Sequence, residues 1–124
     1  METINVRGHY TLDEQGNPVE EINLLKWAEW SERNYQTPLT HKSKYFRRLY
    51  VSTSFLGMDH SFGRRNLVLW ETMIFKRKTS GEPDFYLPLH TKRYETKTES
   101  EVGHKKALKL AKLNNVRIMK RMTL

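Results

Sequence analysis

Residues 48–76 read RLYVSTSFLGMDHSFGRRNLVLWETMIFK, two apolar runs joined by the loop-like stretch GMDHSFGRRN. In the first run Leu49, Val51, Thr53 and Phe55 alternate with Tyr50, Ser52, Ser54 and Leu56. A period of two in β-branched and aromatic residues predicts a strand over Arg48–Leu56, because successive side chains leave a pleated backbone on opposite faces. The second run, Asn66–Lys76, has the same character and predicts a second strand. Gly57 and Gly63 bracket the connection, whose length suits a long hairpin loop, whereas parallel winding would need a helix between the strands. The two strands are therefore expected to pair antiparallel, with Val51, Leu69 and Phe75 in the core.

On the N-terminal side, Gly8–Glu21 (GHYTLDEQGNPVEE) places the turn signal Gln-Gly-Asn-Pro after a short apolar stretch and reads as a strand or extended arm followed by a turn. Glu21–Asn34 sets Ile22, Leu25, Trp27, Ala28 and Trp30 among charged residues at the three- and four-residue spacing of a helix face. Its acidic start suits the positive end of a helix dipole. Asn34–Arg47 is polar and irregular, and Pro38 disfavours helix just before it, so this stretch is a loop or an edge strand.

On the C-terminal side, a third strand is expected at Asp84–Leu89 after the turn signal SGEP, with Pro88 confining it to an edge or an early stop. A fourth is expected near Arg93–Glu95. Thr98 followed by Glu101 matches a capping box and predicts a helix from there to about Asn114, with Ala107, Leu108 and Ala111 facing the sheet. The basic tail 115–124 (NVRIMKRMTL) reads as a last strand, a docked extension or a frayed helix. The fold class is α+β: an antiparallel sheet of about four short strands with an N-terminal and a C-terminal helix packed on one face, in a single domain 1–124.

Composition bounds the chemistry. A chain of 124 residues with 37% hydrophobic content supports one modest core. Charged residues interrupt every apolar run well short of the ~18 to 20 residues that span a bilayer, and METINVRGHY lacks the pattern of a secretory signal. A cytoplasmic protein with no membrane partner is expected. Zero Cys excludes disulfides, thiolate metal sites and cysteine catalysis. The net charge of +8 is uneven: residues 1–35 carry three basic and seven acidic side chains, leaving 19 basic and 7 acidic for the rest. Such a body attracts polyanions or phosphorylated ligands, though Lys-rich surfaces also serve solubility. The composition is compatible with a homo-oligomer as well as a monomer.

Three features bear on a site. Glu71 shares its strand parity with Leu67, Leu69, Met73 and Phe75, so it is a carboxylate on an apolar face that needs an Arg or Lys partner, a ligand, or an escape to solvent. His104 lines up with Ala107, Leu108 and Ala111, either as a hydrogen-bonded core residue or as a ligand. The hairpin loop supplies Asp59, His60, Arg64 and Arg65 between glycines. If the C-terminal helix covers the face of Glu71, then His60, Glu71 and His104 converge as a metal or acid–base set. No His-Glu-x-x-His, Walker loop, nucleophile elbow or dinucleotide fingerprint is present, and no motif assigns a cofactor.

The pieces YTLDEQGNPVEE with LLKWAEWSE, VSTSFLGMDHSFG, LVLWETMIF and RYETKTESEVGHKKAL, in that order over most of residues 9–108, resemble a family of small tailed-phage and prophage proteins. The residues that carry the likeness are Asp59, His60, Ser61, Phe62, Glu71, Thr72, Met73, Gly103 and His104; Arg64-Arg65 and the basic tail depart from it. The resemblance implies the cytoplasm of an infected bacterial host and a counter-defence setting. The reading that follows is a non-catalytic accessory module that binds a nucleotide or other phosphorylated ligand, or a host defence protein, through Asp59, His60, Arg64, Arg65, Glu71 and His104. One alternative is a small hydrolase, metal-dependent or not, that uses His60, Glu71 and His104. The other is a nucleic-acid-binding protein whose Lys105, Lys106, Lys109, Lys112, Arg117, Lys120 and Arg121 contact phosphates.

Overall fold

A computed structural model describes residues 3–113 of the chain. Eight elements follow one another: β1 (Tyr10–Leu12), β2 (Pro18–Glu20), α1 (Leu24–Arg33), β3 (His41–Phe46), β4 (Leu49–Phe55), β5 (Trp70–Arg77), β6 (Pro83–Tyr94) and α2 (Lys97–Leu113). The last four strands form an antiparallel meander in the order β3-β4-β5-β6, and β1 and β2 form a separate hairpin. The fold is α+β, as the alternation predicts. The central pair has the expected direction, with Val51 opposite Ile74 and Thr53 opposite Thr72. Val51, Leu69 and Phe75 are all buried.

Several boundaries differ from expectation for local reasons. The stretch 34–47 contributes a true edge strand, β3, turned back onto β4 by Arg47 at φ 51. The two short strands expected at 84–89 and 93–95 are one long edge strand, β6, whose register slips between Ile74 and Arg77 of β5. Pro83 and Pro88 flank the slip. Neither can donate to a ladder, so the intervening residues bulge outward and leave Phe85, Tyr86 and Leu87 largely exposed. α1 starts after its acids: Asn23 is the cap, its side chain accepting from the Lys26 amide at 3.1 Å, while Glu21 accepts from the Asn23 amide.

The cap of α2 lies two residues before the one expected. Thr96 accepts from the Glu99 amide at 3.1 Å and donates to the Glu99 carboxylate at 3.0 Å, so the box is Thr96-x-x-Glu99. The stripe Ser100, His104, Ala107 and Ala111 is buried, with Leu108 packed beside it, while Lys105, Lys106, Lys109 and Lys112 are exposed. Asn114, the tail 115–124 and its Arg117, Lys120 and Arg121 lie outside the described residues.

α2 covers the sheet face that carries Val51, Thr53, Thr72 and Ile74. Leu49, Val51 and Ile74 pack against Ala107 and Ala111. A second cluster, Leu12, Leu69, Trp70 and Tyr94, closes the loop end of the sheet with help from Trp30, Leu39 and Phe55. α1 reaches this cluster through an edge-on contact of Trp30 with Phe55, and the Trp27 indole donates to the carbonyls of Tyr10 and Gly57 at 3.1 Å each. Glu71 alternates with Thr72 and therefore points to the opposite face. α2 therefore does not cover Glu71, and the condition for its convergence with His104 is not met.

Candidate functional site

The loop between β4 and β5 is held by its own polar groups. One Asp59 oxygen accepts from the amides of Ser61 (2.9 Å) and Val68 (3.0 Å), and the other accepts from the Ser61 hydroxyl (2.7 Å). Burial opposes ionisation of Asp59, but these hydrogen bonds, aided by His60, hold its carboxyl below the usual carboxylate range. His60 bonds through Nδ1 to the Met58 carbonyl at 2.7 Å. Asp59 thus staples the loop and has little capacity left for a ligand.

The stapled loop carries Phe62 at φ 51 and 81% exposed. A bulky residue in the left-handed region is strained by about 1 to 2 kcal/mol, and it persists here because the surrounding hydrogen bonds determine the loop. The Phe62 ring meets His60 edge-on, with centroids 5.9 Å apart. Between this loop, the end of β6 and the first turn of α2 lies a groove of about 540 Å³, into which Arg64, Arg65, Lys92 and Arg93 bring positive charge and Glu95 and Glu99 negative charge.

Glu71 reaches this groove only through its partner. The Arg93 Nε donates to Glu71 at 2.8 Å across the β5–β6 register, and the Glu71 side chain is 13% exposed. This is the ion-pair reading of that carboxylate. His104 is buried on the other side of the sheet, where Thr72, Thr53 and His104 form a chain of side-chain hydrogen bonds of 2.6 and 2.7 Å. Burial, with smaller effects from Lys42 and His41, lowers its pKa below the ordinary imidazole value and so favours the neutral ring.

No family model, curated protein or solved structure matches this chain.

His60, Glu71 and His104 therefore do not line one site. Glu71 and His104 stand on opposite faces of the sheet, each satisfied by protein partners, and His60 stays with its loop. No cluster of three His, Asp or Glu side chains suited to a metal ion exists among the described residues. The structure does bring His60, Arg64 and Arg65 together with Phe62 of the same loop, and it adds Lys92 and Arg93 of β6, which periodicity could not associate with the loop. Their signal in the sequence was weak: an aromatic between Ser61 and Gly63, and a basic pair in a strand whose register depends on long-range pairing. The α2 lysines are solvated on the outer face of their helix. No described helix is long and apolar enough to cross a membrane.

Proposed function

We propose that the chain is a non-catalytic binding module that captures a small phosphorylated ligand of nucleotide type in the groove beside the His60 loop. The observation that carries this reading is Phe62, an exposed aromatic on a strained but stapled loop, set among Arg64, Arg65, Lys92 and Arg93. Guanidinium groups match phosphate oxygens in pairs, and an exposed ring offers a stacking face to a base. A loop already ordered by Asp59 binds with less loss of freedom than a mobile one. The likeness to small phage and prophage proteins is in keeping with capture of a nucleotide signal, or of a host defence protein, inside an infected cell. Hydrolysis through His60, Glu71 and His104 finds no support, because they do not face a common space.

The test is titration of the protein with AMP and with pyrophosphate, followed by amide chemical shifts and calorimetry. AMP should perturb the amides of residues 61–66 and of Lys92 and Arg93. The Arg64→Ala/Arg65→Ala variant should weaken both ligands by at least about tenfold, or roughly 1.4 kcal/mol. Phe62→Ala should weaken AMP and spare pyrophosphate, since only AMP has a base to stack. Absence of any shift in this groove up to about 10 mM of either ligand, weaker than the millimolar affinities that define feeble binding, would end the proposal.

A further inference from the structure

The face of the sheet opposite α2 carries a second surface of different chemistry. At the end where β3 turns into β4, four rings touch in sequence across the strands: Tyr45 and Tyr50 with centroids 4.5 Å apart, Tyr50 and Phe75 at 6.4 Å, and Phe75 and Phe85 at 5.1 Å. Tyr50 and Phe75 form the buried floor, while Tyr45 is 50% and Phe85 63% exposed. A groove of about 460 Å³ borders this end, lined by Arg47, Arg48, Lys76, Arg77 and Lys78 and by a single acid, Asp84. Arg77 is fixed there: its Nε donates to the Gly81 carbonyl at 2.7 Å, its Nη1 to the Arg47 carbonyl at 2.8 Å, and its guanidinium lies 4.7 Å from the centre of the Tyr45 ring.

We propose that this end of the open sheet face binds single-stranded nucleic acid, with bases stacked on Tyr45 and Phe85 and backbone phosphates held by Arg48 and Lys78; Arg47 lies over the Phe46 ring and Lys76 alternates to the α2 side. Unpaired bases expose π faces that exposed aromatic side chains can stack upon, and a basic border follows the phosphates of the same strand. A duplex hides those faces and would meet only the charges. A second copy of this chain would bring the same five cations against these, so like-charge repulsion opposes self-association through this surface. The site stands on the other side of the sheet from Lys105, Lys106, Lys109 and Lys112, and it is independent of the proposed His60 groove.

Fluorescence anisotropy with labelled oligo(dT) and oligo(rU) of about twelve nucleotides, within the span of small single-strand sites, and with a duplex of the same length tests this. A single strand should bind more tightly than the duplex, and the tighter of the two single strands identifies the preferred sugar. Tyr45→Ala/Phe85→Ala should weaken that strand by about tenfold or more. Arg48→Ala/Lys78→Ala should weaken it and reduce the slope of log affinity against log salt by roughly 2. Arg64→Ala/Arg65→Ala and Lys105→Ala/Lys109→Ala should leave it within about twofold, well under the tenfold step of 1.4 kcal/mol. The charge variants should melt unchanged, while Tyr45→Ala/Phe85→Ala, which uncovers part of the Tyr50–Phe75 floor, should melt lower but retain a folded circular dichroism spectrum. The proposal is overturned by duplex binding equal to strand binding, by undiminished affinity in both turn-end variants, by losses confined to the α2 variant, or by sedimentation that shows Tyr45 and Phe85 holding a dimer.

Discussion

Gly103 stands in the middle of α2, where replacing Gly by Ala ordinarily stabilises a helix by about 1 kcal/mol. Here the sign should reverse, because a Cβ at this position would overlap the Tyr94 ring and its hydroxyl. Gly103→Ala should destabilise by about 1 to 3 kcal/mol in urea unfolding, as overpacking does. Asp59→Ala should cost about 1.5 to 3 kcal/mol and speed hydrogen exchange at Ser61 and Val68, since it removes hydrogen bonds to a charged acceptor. The histidines predict a pH dependence. Burial is the main cause that lowers the pKa of His41, His90 and His104, with Lys92 adding at His90 and Lys42 and His41 at His104. Each therefore takes up a proton more readily in the unfolded chain, so their contribution to stability is complete above the unfolded value of 6.5 and is lost as pH falls from there through the lowered folded values. Unfolding free energy should drop as pH falls through and below the unfolded value of 6.5, and His104→Gln should flatten part of that slope.

Thr96 and Thr98 offer a direct comparison at the start of α2. Both sit three residues before a Glu, so the pattern alone fits either, and only the hydrogen bonds of Thr96 to Glu99 decide between them. Thr96→Ala should cost about 0.5 to 2 kcal/mol, and Thr98→Ala should change the melting temperature little. A larger effect at Thr98 would contradict the assigned cap. β6 shows a different limit of local reading. Pro88 does mark an edge strand, but the bulge between Pro83 and Pro88 lets one strand run from Pro83 to Tyr94 where two were expected. A bulge is the answer of a pair of strands to a residue that cannot donate, so it becomes visible only when the partner strand is known.

The two buried clusters share one sheet: Val51 and Ile74 anchor the half beneath α2, and Leu69, Trp70 and Tyr94 the half beside α1. Because β4 and β5 run through both, circular dichroism and tryptophan fluorescence should report one coincident unfolding transition. Ile74→Ala, at a fully buried site, should lower that stability by about 2 to 5 kcal/mol, whereas separate transitions would mean that the halves unfold independently. The two central strands, read at 48–56 and 66–76 although the second starts only at Trp70, their antiparallel pairing, the buried stripe of α2 and the lysines on its outer face were legible from the chain, because alternation and helical spacing are local properties of the backbone. The choice of face was not. Along residues 67–75, Leu67, Leu69, Met73 and Phe75 rival Val68, Trp70, Thr72 and Ile74 in apolarity, and nothing local says which set α2 will cover. Packing settles it: the small Ala107, Ala111 and Gly103 fit close to Val51, Ile74 and Tyr94, and Thr53, itself bonded to Thr72, bonds His104. Once the helix lies there, alternation sends Glu71 to the far face and the β6 register hands it Arg93. The basic groove at the turn end arises in the same way, since Arg47-Arg48 and Lys76-Arg77-Lys78 are far apart in sequence and meet only because Leu49 pairs with Lys76.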